Sequence, residues 1–314
     1  MNFRFPLMWH QARFSLRRIS ARQVTSLAHL RATGAVPTIL TRSKASAAEP
    51  SSTVVVQIGD HGMASVYLSS PPVNALTKRL LQELMDVISE LEENPKVRGF
   101  ILGSAVPKIF SAGIHLPEML VDHDGSTEGV ATFWTLLQET WLKLYTTPLA
   151  TVAAIPGACP AGGCLLALSC DARVMVENKG TIGLNEAAFG LIPPPWLSGM
   201  LIGVAGQRKA EDMIMRGVLL PPAQALLAGI VDVTVPLSSL SDEATARLAA
   251  LLAVPGDARV RAKAQLRRGA AEALRTSQAE DLDEMVTMLT RAEVQERIQS
   301  YLESLSSKRA GSSP

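Results

Sequence analysis

Glu186 stands in an apolar neighbourhood between Leu184 and Phe189, where a carboxylate would lose hydration. Its pKa should rise toward values useful to a general base. Upstream, Pro160 is followed by Ala161, Gly162 and Gly163. Proline is tolerated in the first turn of a helix, so Pro160 predicts where a helix begins. The N–H groups of the next three residues then lack intrahelical partners, and glycine lets a ligand come close to the backbone. A second loop, Phe110-Ser111-Ala112-Gly113, offers a further exposed N–H. Paired with Gly162, it would hold an oxygen that turns negative as a neighbouring proton is removed.

The elements that must position these groups are readable in outline. Thr151 to Asp171 carries no charged side chain between its ends. It reads as strand, turn at Pro156-Gly157, and buried helix. Its length would also suit a membrane span, but three prolines in and just before it and three glycines within it interrupt the pattern, which argues against that reading. Ser52 to Ile58 and Met63 to Leu68 read as a hairpin around Gly59 to Gly62. Leu80, Leu81, Leu84, Val87, Ile88 and Leu91 recur at helical spacing until Asn94-Pro95. Val97 to Leu102 follows as a strand. Val130 to Tyr145 is a helix with Phe133, Trp134, Leu137, Trp141 and Leu144 as its core stripe. Ala172 to Val176 is a further strand, and residues 221–236 give a short helix, a turn at Gly229 and a strand. From Leu240 to about Leu305 the pattern is helical, with Leu282, Met285, Leu289, Ile298, Leu302 and Leu305 forming one apolar face. Strands alternating with helices imply an α/β protein with a largely parallel sheet.

The first 48 residues differ from the rest, with seven arginines, one lysine and no acidic residue before Glu49. Arg13, Arg17 and Arg18 lie among Phe14, Leu16 and Ile19, as in an amphipathic import helix. Residues 1–45 are therefore expected to be a mitochondrial transit peptide, and the mature protein to reside in the matrix. Without the basic segment, 22 basic residues face 29 acidic ones, a net of −7. That excess of acid argues against nonspecific nucleic-acid binding. Cys159, Cys164 and Cys170 fit neither a zinc knuckle nor a redox pair, and read as buried small hydrophobes.

Five stretches taken in order, SPPVNALT, IFSAGIHLPEM, GACPAGGCLLALSCD, GTIGLNEAAFGLIPP and ALLAGIVDVTVP, resemble the crotonase (enoyl-CoA hydratase/isomerase) superfamily. The likeness spans roughly residues 52–305. It implies a crotonase-like spiral of β-β-α turns over 52–250 with a C-terminal helical region at 251–305. It also implies a homotrimer and an acyl-CoA thioester substrate, with no metal and no cofactor beyond the coenzyme A of the substrate. By the same resemblance Glu186 is the catalytic carboxylate, Ala112 and Gly162 are the oxyanion donors, and Gly113, Ile114, His115 and Leu116 complete the substrate-binding stretch.

Hydratases of this superfamily carry a second glutamate two residues beyond the position of Gly163, where this chain has Leu165. Hydration needs a second carboxylate to activate water; moving a double bond needs one base that takes a proton from C2 and returns it at C4. The resemblance thus implies an isomerase acting on 3-enoyl-CoA, with a hydratase or a non-catalytic CoA- or RNA-binding member as the alternatives. The helix at 78–96 that would serve RNA binding has more acidic than basic residues. His115 stands where relatives usually have Asp, which alters local polarity but leaves backbone donors untouched. Arg259, Arg261, Lys263, Arg267 and Arg268 form a basic run, and Lys263 is the expected contact to the coenzyme A phosphates.

Overall fold

The computed structural model describes residues 52–122 and 124–310. The expected transit peptide, residues 1–45, lies outside them. Strands β1 (Val54–Ile58) and β2 (Met63–Leu68) pair antiparallel around the turn at His61 and Gly62. Helix α1 (Lys78–Glu93) opens at Thr77, whose side chain accepts the Leu80 N–H at 3.2 Å, and ends at Asn94. Its leucine stripe is buried, as the spacing requires.

After β3 (Gly99–Ser104) comes α2 (Glu128–Thr146), whose aromatic stripe is buried throughout. Strand β4 (Ala150–Ile155), the two-residue β5 (Cys159–Pro160) and α3 (Gly162–Ser169) form one turn of the expected spiral. Strand β6 (Ala172–Val176), β7 (Ile182–Gly183) and α4 (Pro195–Ala205) form the next. Helices α5 (Gln207–Arg216) and α6 (Pro222–Leu227) lead to β8 (Val233–Val235). Then come α7 (Leu240–Leu252), α8 (Gly256–Leu289) and α9 (Ala292–Ala310).

The main sheet has the order β1-β2-β3-β4-β6-β8 and is parallel from β2 onward. A second, small ladder runs beside it. β5 pairs parallel with β7, and Ile109, in the loop after β3, bridges Ala158 in the same sense. Each turn therefore contributes one strand to the wide sheet and a short stretch to the narrow one before its helix. That repetition stacks the loops after β3, β4 and β6 in one place.

Pro160 departs from expectation: it belongs to β5, and α3 starts two residues later at Gly162. Periodicity cannot reveal a two-residue strand, which exists only because β7 offers it a partner.

The C-terminal helices close over this core. α8 bends at Ser277, the one residue inside it with non-helical backbone angles. Beyond the bend Asp281 is buried, accepting hydrogen bonds from Trp134 Nε1 (2.8 Å) and Gln138 Nε2 (2.7 Å) on α2 and from Trp196 Nε1 (3.1 Å) on α4. Leu289 and Ile298 are buried, Leu282 and Leu302 partly so, but Leu305 is exposed, so the apolar face stops before that residue. Among the described residues no helix is long and apolar enough to cross a membrane. The three cysteines are free and buried.

Candidate active site

Two loops far apart in sequence are laced together to make the site. Asn74 is fully buried; its Oδ1 accepts the Ser70 N–H at 2.8 Å, and its Nδ2 donates to Ser104 Oγ (2.8 Å) and the Phe110 carbonyl (2.9 Å). In return Ser111 Oγ donates to the Asn74 carbonyl at 2.6 Å and accepts the Gly113 N–H at 3.1 Å. The backbone completes the seam: Ala112 N–H donates to the Val73 carbonyl (2.9 Å), Leu76 N–H to Gly113 (2.8 Å) and His115 N–H to Leu76 (3.1 Å).

This seam corrects one expectation. The Ala112 N–H, read as an oxyanion donor, is committed to Val73 and is not available. From Ala112 to His115, the N–H of Ile114 alone has no hydrogen-bond partner among the described residues. A sequence cannot show which donor a loop spends internally, since the acceptor, Val73, is nearly forty residues away.

The second donor comes from α3. Ala161 sits at φ +47°, in the left-handed half of backbone space, and its N–H donates to the Gly183 carbonyl at 2.9 Å. It is therefore spent, contrary to expectation. Leu165 N–H is the first to close onto the helix, reaching the Ala161 carbonyl at 3.0 Å. The Gly162 N–H precedes that first bond and has no acceptor among the described residues, as a first-turn group should.

The two loops meet at their glycines. A Cβ on Gly162 would lie 3.3 Å from the Ile114 nitrogen and 2.7 Å from Leu76 Cδ1, and one on Gly113, at φ +90°, would lie 3.1 Å from the Gly162 nitrogen. The free N–H groups of Ile114 and Gly162 thus belong to backbone segments in direct contact. No side chain fits between them.

Glu186 reaches the same place through β7. Pro160 pairs with Gly183, the last residue of β7, so the start of α3 lies beside the segment that continues through Leu184 and Asn185 into Glu186. Glu186 opens a short 3₁₀ turn (Glu186–Phe189) and is half-buried. Its Oε2 is enclosed and has no hydrogen-bond partner among the described residues. Burial raises its pKa to about 7, opposed only by a hydrogen bond from its own backbone. The same carboxylate, after burial itself, raises the Cys164 thiol, which places it near the first turn of α3.

His115 is a half-buried loop residue, and its enclosed Nδ1 also lacks a partner among the described residues. Ile114 and Leu116 are partly buried beside it. Leu165 is 1% exposed and packs in the main core.

A roof is laid over the site by α9, an element with no recognisable motif. Gln295 Nε2 donates to the Met119 carbonyl (2.9 Å) and its Oε1 accepts the Val121 N–H (3.0 Å). Tyr301 packs edge-on against Phe189, centroids 4.9 Å apart.

Lys263 is not at the site. It is buried, with Nζ 2.8 Å from the Leu149 carbonyl and 2.9 Å from Asp171 Oδ1. Arg267 shares Asp171 at 2.9 Å and donates to the Tyr145, Ser169 and Cys170 carbonyls. The expected phosphate contact is instead a buried ion pair that fastens α8 to the ends of α2 and α3. Burial lowers the Lys263 pKa to about 8 against the pull of Asp171.

Comparison with known proteins gives consistent likenesses. The family pattern described as Enoyl-CoA hydratase/isomerase matches residues 59–309. The chain is 41% identical over 245 residues to human "Enoyl-CoA delta isomerase 1, mitochondrial", covering 78% of this chain and 80% of that protein. It superposes on the crystal structure of human mitochondrial delta3-delta2-enoyl-CoA isomerase with a TM-score of 0.79 at 40% identity, covering 82% of this chain and 99% of the other. An enoyl-CoA hydratase from Bacillus halodurans, 24% identical, shares the fold with a TM-score of 0.72 over 79% of this chain and 100% of that one.

Proposed function

The chain belongs to the enoyl-CoA hydratase/isomerase family, and from that premise we propose that it is a mitochondrial enoyl-CoA isomerase converting 3-enoyl-CoA, cis or trans, into trans-2-enoyl-CoA. Such a step serves the β-oxidation of unsaturated acyl chains. The observation that carries the reading is the Glu186 carboxylate, whose enclosed Oε2 has no partner among the described residues, beside the N–H groups of Ile114 and Gly162, which have none there either.

In this mechanism the thioester oxygen accepts from the N–H groups of Ile114 and Gly162. Glu186 removes a C2 proton, and the C2–H electron pair moves into a dienolate whose negative charge rests on that oxygen. The two donors stabilise the charge where it develops. The same carboxyl group then returns the proton at C4, leaving the double bond between C2 and C3. A base with a pKa near 7 can both take and give that proton at neutral pH. Coenzyme A enters as part of the substrate, and no other cofactor takes part. The reading also includes a homotrimer in the matrix.

Leu165, buried in the core, favours this over hydration, because no second carboxylate stands at that point of α3 to hold a water. A coupled assay with 3-enoyl-CoAs, run beside hydration of a 2-enoyl-CoA, tests the proposal. Isomerisation well above hydration is expected; dominant hydration, or no turnover of any 3-enoyl-CoA, would overturn it.

A further inference from the structure

A cavity of about 210 Å³ lies at the opposite end of the sheet from Glu186, lined by Val97, Arg98, Pro148, Leu149, Gly256 and Arg259, among others. Val97 and Leu149 lie just before β3 and β4, whereas the loops of the proposed active site follow the far ends of those strands. Six residues of strand separate the two ends by roughly 20 Å.

Arg259 Nε and Nη1 are enclosed and have no hydrogen-bond partner among the described residues. Among the described residues, the acid that acts on Arg259 is Asp171, already held by Lys263 and Arg267. Arg98, an exposed residue, lines the same cavity, with Nη2 3.0 Å from the His61 carbonyl and Nη1 3.4 Å from that of Leu252, and it has no ion pair among the described residues. The 34-residue α8 begins at Gly256 on the cavity wall, and Pro255 supplies no side-chain cap. Asp257, in that first turn, is exposed. Arg98 and Arg259 therefore face this space with no carboxylate among its lining residues, and Asp171 is already shared by Lys263 and Arg267.

We propose that this cavity is a binding site for a small tetrahedral oxyanion of the phosphate class, gripped by the guanidinium groups of Arg259 and Arg98 at the start of α8. A planar guanidinium offers paired N–H donors matched to two oxygens of such an anion, and charge-assisted bonds of this kind are strong. The uncapped N–H groups of a helix start add donors of the same polarity. Burial lowers the pKa of Arg259, Asp171 opposes that, and Arg98 adds to it, so an arriving anion relieves a charge the protein leaves unbalanced. The site is separate from the one proposed for the acyl-CoA, and its occupant would fasten α8 to the starts of β3 and β4.

The test is calorimetric titration of the full chain with inorganic phosphate at constant ionic strength, repeated in the presence of a saturating 2-enoyl-CoA. Wild-type protein should bind phosphate saturably, with or without the thioester. Arg259→Gln should weaken binding at least about tenfold, in line with loss of a charge-assisted pair, while Arg268→Gln, an exposed neighbour, leaves it unchanged. Thermal unfolding without phosphate checks that Arg259→Gln is folded, and Arg259→Lys should recover part of the affinity. Absence of saturable binding, competition by the thioester, or a smaller loss in Arg259→Gln would each overturn the proposal.

Discussion

A carboxylate with no cation beside it is easier to protonate than to keep ionised, and Glu186 is in that position. Its folded pKa of about 7 stands above the ordinary 4.5, so the folded state binds the proton more tightly than the unfolded chain does. Wild-type protein therefore loses stability as pH rises from below 4.5 through 7, by up to on the order of 3 kcal/mol. Glu186→Gln removes that penalty: its melting temperature should exceed the wild type's at pH 8 and approach it near pH 5. Activity should move the other way. The variant should lose roughly a hundred- to ten-thousand-fold in kcat with little change in thioester affinity, and wild-type kcat/KM should fall as pH drops through about 7. A variant with near wild-type kcat would end the assignment. Lys263 makes the opposite prediction. Because its Nζ is buried against Asp171 and the Leu149 carbonyl, Lys263→Ala should lower unfolding free energy in urea by about 3 kcal/mol. KM for CoA thioesters should stay within about twofold, well inside what loss of a phosphate contact would change.

At the scale of elements, the site depends on how closely the loop at 110–115 lies against α3. A Cβ on Gly163 would fall 2.6 Å from the Ser111 carbonyl oxygen, and Ser111 in turn supports Asn74 and Gly113. Gly163→Ala must push that seam apart, so kcat should drop at least about tenfold and stability by 1–3 kcal/mol, measured by steady-state kinetics and urea unfolding. The helices and wide-sheet strands were legible because their periods persist over many residues, and Glu186 was legible from its apolar flanks together with the order of the motifs. Three details were not. β5 is a strand only by virtue of β7, so Pro160 looked like a helix start. Ala112 looked free because Val73, which takes its N–H, is distant in sequence. Lys263 looked like a contact to the coenzyme A phosphates, since nothing local says that Asp171 holds it. Each of these depends on a partner remote along the chain, and so does the placement of α9, whose helix was legible but not what it packs against.

For the whole molecule, several large apolar side chains remain uncovered, among them Leu227 at 89% and Leu266 at 83% exposure. Clustered with a partner, such residues suit an interface between copies; light scattering on the mature protein should give the mass of three chains if the homotrimer is correct, and a monomer would refute it. Within one chain, the roof made by α9 rests on Gln295 and Tyr301. A chain ending at residue 290 should keep most of its helical circular dichroism yet lose most of its isomerase activity. That roof also has a consequence in time. Synthesis runs from the amino end, so the base, both donors and the seam between their loops all exist before the segment that covers them has left the ribosome. A carboxypeptidase that removed this last-made segment from the finished enzyme should open the site to water without touching a reacting group.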